Sequence, residues 1–546
     1  MGKGKRFQRF LKRGGIKAGN QISDSRRAGN TEIETGDSDG DRGISGADHW
    51  KISVRNIGAD REEIDANGGS YTMDEIRGMP EWGRRILQPA SSVKRKYAIC
   101  FGYLGTNYQG LQINRDALTV EKELEKALFL AGGISEQNFG NLHKLNWTRC
   151  ARTDKGVHSL GQCCSMKLEY PLGYSEEFRQ SVNNFLPDDI RIHYIQKVAK
   201  TFNSKYHCSG RRYKYFFPTY ILQNEQIIRQ HFLRCFISQE AVQNTKMKGH
   251  CIKLSDEELR TLRSESLINY RAPESTLRDL KLALDQYLGT HNYHNFTSSK
   301  DAGDDSARRY ITSVELSDPQ VIEADGSEWA CITLCGQSFL LNQIRKMVTL
   351  VFEFVRGNAS LETFTIAMDP GKKVDIPMAP GLGLYLDGLD FDRYNLKVAQ
   401  EEGRARAAIR NKAIRAAKPA KVVDIETDTT LKTEERLPPV KKMKTEDFLQ
   451  EREETGNAYI HAKIEWSKLP DVSAKMELFR QEKVHPHIIE EEEKSAIFLK
   501  FLDYLRVGNI RYPTSLRVES ASEGINESVD KREIDAPITD KSIGTG

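Results

Sequence analysis

The chain has 546 residues, 38% of them hydrophobic and 29% charged, with a formal net charge of +4. That length suits two to four domains at roughly 150 residues each, but the apolar content is low for one compact body, so a core with disordered extensions is expected. No apolar run reaches the roughly 20 residues of a membrane-spanning helix, and nine cysteines without a C-x-x-C pair give no zinc-ligand array.

Residues 1–30 carry nine Lys/Arg against the single Asp24, and residues 31–66 then turn acidic and Gly-rich. Neither block can bury a core, so 1–92 reads as a disordered extension. The basic start is a nuclear localisation patch, an RNA-binding arm or a mitochondrial presequence. A second basic cluster, KKMK at 441–444 after Pro438-Pro439, favours the nucleus, with the mitochondrion as the alternative. With no secretory signal, reduced thiols are expected.

The first ordered run, KRKYAICFGYLG (94–105), reads as a buried strand. An amphipathic helix follows over 118–133, with Val120, Leu124, Leu128 and Leu130 near one face and Gly132-Gly133 ending it. Residues 162–170 read as a strand, 175–186 as a helix and 190–199 as a strand. RRYKYFF (211–217) alternates basic and aromatic residues at the strand period. Residues 221–275 are a polar insertion or connection. A helix over 275–289, strands at 309–317 and 327–335, and a long helix over 338–355 come next. The apolar stripe of that last helix is Leu340, Ile344, Met347, Val348 and Val351. APGLGLYLDG (379–388) closes the core as a Gly-broken strand. The fold class is α+β, with an N-terminal half at 93–220, a C-terminal half at 276–392, and mixed or antiparallel sheets flanked by helices. Residues 393–546 read as a charged extension. It holds a basic helix over 403–421, a candidate RNA backbone contact, and an amphipathic helix over 494–508.

The most informative stretch is ARTDKGVHSLGQ (151–162). Asp154 lies between Arg152 and Lys155, with Gly156 behind it for a tight bend. Two flanking cations should keep the carboxylate ionised. Such a group serves as a nucleophile or as an electrostatic stabiliser. The run resembles the signature of TruA-type tRNA pseudouridine synthases. Five further runs match that family in order: FGYLGTNYQGLQ (101–112), GRRYKYFFP (210–218), GTHNYHNFTS (289–298), GQSFLLNQIRKM (336–347) and APGLGLYL (379–386). The resemblance covers residues 94–390 and is strongest to the eukaryotic multisite branch.

The resemblance implies one sheet assembled from both halves, an active site in the cleft between them, and isomerisation of uridine to pseudouridine in tRNA, with other structured RNAs as a further class. It implies no metal, reductant or nucleotide cofactor. Asp154 would attack the sugar or the base, or stabilise charge at the sugar. Arg345 would pair with it, as its planar fork suits a carboxylate. Tyr213 and Leu384 would hold the detached uracil between them, and Tyr213 is also a candidate proton acceptor. Arg152 would either fill the space the flipped base leaves or hold its phosphate. Lys94, Lys96, Arg211, Arg212, Lys214, Arg308 and Arg309 are candidate phosphate contacts. His291 and His294 lack a third ligand and read as packing or RNA contacts rather than a metal site. Bacterial relatives are dimers, and the long C-terminal extension would cover the equivalent surface and leave a monomer. Two rival readings remain: a non-catalytic RNA-binding or chaperone protein on the same fold, and a glycosidic-bond hydrolase, which would need a second carboxylate opposite the first.

Overall fold

The computed structural model describes residues 69–87, 94–169, 176–224, 255–263, 267–323, 325–416, 463–507 and 512. The basic and acidic N-terminal blocks, the KKMK cluster and most of the polar insertion lie outside the described residues, and with them the expectations about localisation.

Ten strands build one mixed sheet. They are β1 (Arg95–Tyr103), β2 (Thr148–Arg149), β3 (His158–Leu168), β4 (Ile190–Lys197), β5 (Gly210–Pro218), β6 (Gly289–Asn292), β7 (Arg308–Leu316), β8 (Gln320–Val321), β9 (Glu328–Gly336) and β10 (Leu384–Asp390). The order is β4-β1-β3-β10-β5-β9-β7-β6, with β2 on β3 and β8 on β9. β10 comes last in the chain yet lies between β3 and β5, so it joins the two halves. It runs parallel to β3 through Tyr385↔His158 and Leu386↔Ser159. It runs antiparallel to β5, with Leu384 opposite Tyr215 and Leu386 opposite Tyr213.

β1 reads as a continuous apolar run because both of its faces are covered. Tyr97, Ile99, Phe101 and Tyr103 meet one core with Leu124 and Leu128 of helix α1 (Val120–Leu130) and Phe178 of helix α2 (Glu176–Asn183). Ala98 and Cys100, on the opposite face, meet Ile464, Trp466 and Val472. Those last three belong to the stretch that the sequence suggests is a charged extension. It continues as helices α6 (Pro470–Phe479), α7 (His485–Ser495) and α8 (Ile497–Val507). Val484, Ile488, Phe498 and Leu499 of this segment enter the core of the C-terminal half. The helix expected over 494–508 is α8, which starts at Ile497 because Ala496, at φ 46°, ends α7 after Ser495.

Helix α3 (Glu274–Asp285) agrees with its expected span to within a few residues. Helix α4 is Gln343–Val355, not 338–355. Asn342 sits in the left-handed region at φ 63°, which the α-helix cannot continue through. Ile344, Met347, Val348 and Val351 are buried as the apolar stripe requires, while Leu340 lies in the loop before the helix. Residues 379–383 are a turn rather than strand. Gly383 is required there, because a Cβ would come within 2.4 Å of the Phe216 carbonyl oxygen. Helix α5 (Asp392–Ala416) begins at Asp392 rather than Gly403. Its Arg404, Arg406 and Arg410 are exposed, and residues 417–421 of the basic run lie outside the described residues.

Phe498 shows how the C-terminal segment supports the sheet. Its ring centroid lies 6.3 Å from that of Tyr215 on β5 and 5.9 Å from that of Trp329 on β9, and its tip abuts Gly383. Phe498→Ala should therefore destabilise the fold by about 3–5 kcal/mol, read as a lower urea midpoint. A loss under about 1 kcal/mol would show that the segment docks without carrying the core.

Candidate active site

A cleft of about 920 Å³ opens over the centre of the sheet. Its lining combines the 147–154 stretch from the N-terminal half, Arg211 and Tyr213 of β5, Leu384 of β10, Arg309 of β7 and the 338–344 stretch that leads into α4. Among the described lining residues are six Arg or Lys side chains and a single carboxylate, Asp154. Such a wall favours an anionic ligand.

Asp154 is placed by its loop. Gly156 adopts φ 77°, and the Val157 N–H donates to the Asp154 carbonyl at 3.2 Å, closing the turn. The Thr153 and Tyr103 hydroxyls share a hydrogen bond at 2.7 Å. Gly110 packs so tightly below that a Cβ would lie 2.7 Å from the Thr153 carbonyl oxygen. His158, fully buried, accepts from the Gly105 N–H at Nδ1 (3.0 Å) and donates from Nε2 to the Leu382 carbonyl (2.9 Å). Burial pushes its pKa down to about 3, so the ring is neutral and the tautomer fixed. One imidazole thereby ties together three of the matched runs: 101–112, 151–162 and 379–386.

The electrostatics of Asp154 differ from the sequence expectation. Burial raises its pKa above the ordinary aspartate value, while the Arg345 charge and the Asn342 backbone N–H pull it back. Arg152 and Lys155 are exposed and are not the source of its countercharge. The left-handed turn at Asn342 aims that N–H at the carboxylate from just before the N-terminus of α4, where the helix dipole also favours an anion. Arg345 is fixed by its Nε, which donates to the Ala379 carbonyl at 2.6 Å. It stands behind the lining rather than in it.

Tyr213 is buried, its ring edge-on to Phe339 with centroids 5.3 Å apart. Burial raises its hydroxyl pKa, and Asp154 adds to the rise against Arg211. Leu384 is 5% exposed at the same cleft. Arg211 donates to the Cys150 carbonyl at 2.9 Å and to the Gln337 carbonyl at 2.5 Å, bridging two walls. Arg309 is half-buried with no partner for its Nε, and burial and the nearby Arg211 charge lower its pKa despite Asp304.

The remaining expected phosphate contacts do not line the cleft. Strand alternation puts Arg212 and Lys214 on the face of β5 opposite Arg211 and Tyr213, where both pair with Asp387 at 2.5 and 3.7 Å. Arg308 is exposed outside the cleft lining. Lys94 pairs with Glu169 at 3.2 Å. Lys96 is 3% exposed and donates to the Asn146 carbonyl (2.6 Å), the Asn146 side chain (2.7 Å) and the Ser165 carbonyl (3.4 Å), so it is an internal brace. His291 and His294 donate to the carbonyls of Leu288 and Lys372 at 2.8 and 2.9 Å, which accounts for them as packing residues. No cluster suited to a metal ion occurs among the described residues, nor is any described helix long and apolar enough to cross a membrane.

Sequence reasoning misses Arg149, Trp147 and Glu121. Buried Glu121 accepts both from Arg149 (2.7 and 2.9 Å) and from the Trp147 indole (2.7 Å), bracing the far wall of the cleft. Glu121 lies three and seven residues before Leu124 and Leu128, so a carboxylate on the apolar face of that helix is the available signal, while its partners Arg149 and Trp147 appear only in the three-dimensional contact.

This arrangement is the pseudouridine synthase fold. Residues 283–392 match the family model described as tRNA pseudouridine synthase. The chain is 34% identical over 357 residues to tRNA pseudouridine synthase 1 of Kluyveromyces lactis, covering 58% of this chain and 64% of that protein. It is 31% identical to the protein of the same name in Yarrowia lipolytica (65% of this chain, 76% of that one) and 35% identical to the Mus musculus pseudouridylate synthase 1 homolog (58% and 69%). The match thus spans under two thirds of the K. lactis relative's length. The chain belongs to the tRNA pseudouridine synthase family, in its eukaryotic branch.

Burial holds the Lys96 pKa down to about 7, helped by the Lys167 charge. The unfolded chain keeps that proton up to the ordinary lysine value of 10.5. Between those values the unfolded state binds more protons, so the Lys96 contribution to stability rises with pH; below about 7 its full burial cost is present. The difference in urea stability between wild type and Lys96→Met should therefore grow in favour of wild type from pH 7 to about 10. A flat difference would mean that Lys96 does not titrate in that window.

Proposed function

We propose that the chain isomerises uridine to pseudouridine in tRNA, with other structured RNAs as further substrates and no cofactor. The observation that carries this reading is one half-buried carboxylate, the single one among the described lining residues, in a cleft whose wall also holds six Arg or Lys side chains and the buried Tyr213 and Leu384. The names of the fungal relatives supply the RNA class. The reaction conserves atoms. The N1–C1′ bond of uridine breaks, the uracil turns, the C5–C1′ bond forms, C5 loses a proton and N1 gains one.

Asp154 meets the sugar or base of an extruded nucleotide. Arg345 and the Asn342 N–H favour its charged form once substrate excludes water. Leu384 and Tyr213 lie where a flat ring needs apolar walls. The Tyr213 phenol, held protonated by burial, suits that walling role better than the role of proton acceptor. Arg211 and Arg309 converge from two walls on the region a phosphate would occupy. The exposed Arg404, Arg406 and Arg410 of helix α5 are candidate contacts to an RNA backbone. The hydrolase alternative lacks its second carboxylate among the described lining residues.

The decisive measurement is pseudouridine content, by mass spectrometry of nuclease digests, of unmodified tRNA incubated with the pure protein and no cofactor. Wild type should form pseudouridine. Asp154→Ala should form none while tRNA affinity stays within about threefold. No product from a folded, tRNA-binding wild type would favour the non-catalytic RNA-binding reading. Arg345→Met should move the acid limb of the single-turnover rate upward by about one pH unit, since loss of the cation raises the Asp154 pKa further. A uniform rate loss with an unmoved limb would reduce Arg345 to a loop brace.

A further inference from the structure

We propose that His487 of helix α7 is a positioning residue: it braces both ends of the hydrogen bond between Gly105 and His158, and through that bond sets the loop that carries Asp154. The proposal rests on the pseudouridine synthase reading above and gives the C-terminal segment a part in it.

His487 reaches two partners at once. Its Nε2 shares a hydrogen bond with the Thr106 hydroxyl at 2.6 Å. Its ring stands edge-on to that of His158, with centroids 5.6 Å apart and planes at 82°. Thr106 directly follows Gly105, whose N–H donates to His158 Nδ1 at 3.0 Å. One side chain therefore holds both the donor segment and the acceptor ring of that bond. The ring contact matters because of how His158 is tethered. Its two nitrogens are bonded to Gly105 and Leu382, which leaves the ring able to rock about the line through them. The ends of that line are occupied, so His487 meets the ring elsewhere and limits the rocking.

The path on to Asp154 is short. Gly105 packs so closely on Val157 that a Cβ would lie 2.1 Å from the Val157 carbonyl oxygen. The Val157 N–H in turn closes the turn on the Asp154 carbonyl. A shift of Gly105 is thus passed through Val157 to the residue that bears the carboxylate, and a displacement of about 1 Å at a reacting group can cost about a hundredfold in rate. Helix α7 works from the sheet face away from the cleft. His485 stacks on Phe216 with centroids 4.1 Å apart, and Phe216 shares the face of β5 with Arg212 and Lys214, opposite Tyr213. Neither Thr106 nor His487 is among the described lining residues. Helix α6 seats the segment against the same strands: a Cβ on Gly161 of β3 would lie 2.6 Å from Met476, and one on Gly102 of β1 would lie 3.0 Å from Phe479.

The test uses the full chain with unmodified tRNA and reads rate and affinity separately. His487→Ala should lower the single-turnover rate at least about tenfold while tRNA affinity stays within about twofold, because the loss falls on placement of the carboxylate and not on binding. His487→Gln, whose side-chain amide can still bond Thr106, should bring the rate back to within about threefold of wild type. Adding Thr106→Val to His487→Ala should cost no more than about a further twofold, because the same contact is removed twice. Hydrogen exchange gives a readout independent of activity. His487→Ala should speed exchange of peptides containing the Val157 N–H at least about fivefold and leave those of β5 unchanged. A rate that falls only with the folded fraction, additive losses, no rescue by glutamine, or unaltered exchange at Val157 would each overturn the proposal. If wild type forms no pseudouridine, the functional reading fails, and the exchange measurement alone decides whether His487 holds the loop.

Discussion

The short parallel contact between β3 and β10 is what the rest of the site depends on. Only Tyr385↔His158 and Leu386↔Ser159 are paired across it. Yet it sets the last strand of one half beside the strand that follows the Asp154 loop. The turns preceding both strands then share one end of the contact, and the His158 ring bridges from Gly105 to Leu382 across that end. Asp154 comes from one half, Leu384 and Arg345 from the other. Their meeting is a property of sheet order, which is why the matched runs are spread over nearly three hundred residues.

Within that frame, two opposed effects act on one carboxylate. Burial disfavours its charge; the Arg345 charge and a backbone N–H favour it, and burial is the larger. A carboxylate balanced this way responds to what covers it. A substrate that excludes water deepens the burial and strengthens the attraction to Arg345 at once. Several of the lining cations are themselves held by the protein: Arg211 donates to the Cys150 and Gln337 carbonyls and Arg149 to Glu121, while the buried Nε of Arg309 has no partner.

Much of the fold is legible in the sequence, because local patterns determine it. The apolar run at 95–103, the alternation at 211–217 and the stripe Ile344, Met347, Val348 and Val351 each mark a real element. The start of helix α4 is not legible, since a left-handed asparagine interrupts no hydrophobic period. The site is legible where a motif carries it: Asp154, Tyr213, Leu384, Arg152, Arg211 and Arg309 share the cleft. It is illegible where position in the sheet decides. Arg211 and Arg212 are adjacent in sequence, but a pleated strand sends them to opposite faces. Lys96 looks like a surface cation until Asn146 folds over it. The core role of residues 463–507 is hidden because their partners lie hundreds of positions away.

That last feature bears on how the chain is made. Ala98 and Cys100 of the first strand of the sheet are covered by Ile464, Trp466 and Val472. At roughly 5–20 residues per second of synthesis, the covering segment emerges tens of seconds after the strand it shields. The gap between β3 and β5 likewise stays open until β10 has been translated. The nascent N-terminal half therefore spends that interval with an apolar sheet face and an unpaired strand edge exposed. A ribosome that stalls or terminates before the final helices releases a protein with the matched motifs in place and a surface prone to aggregation, a natural client for chaperones.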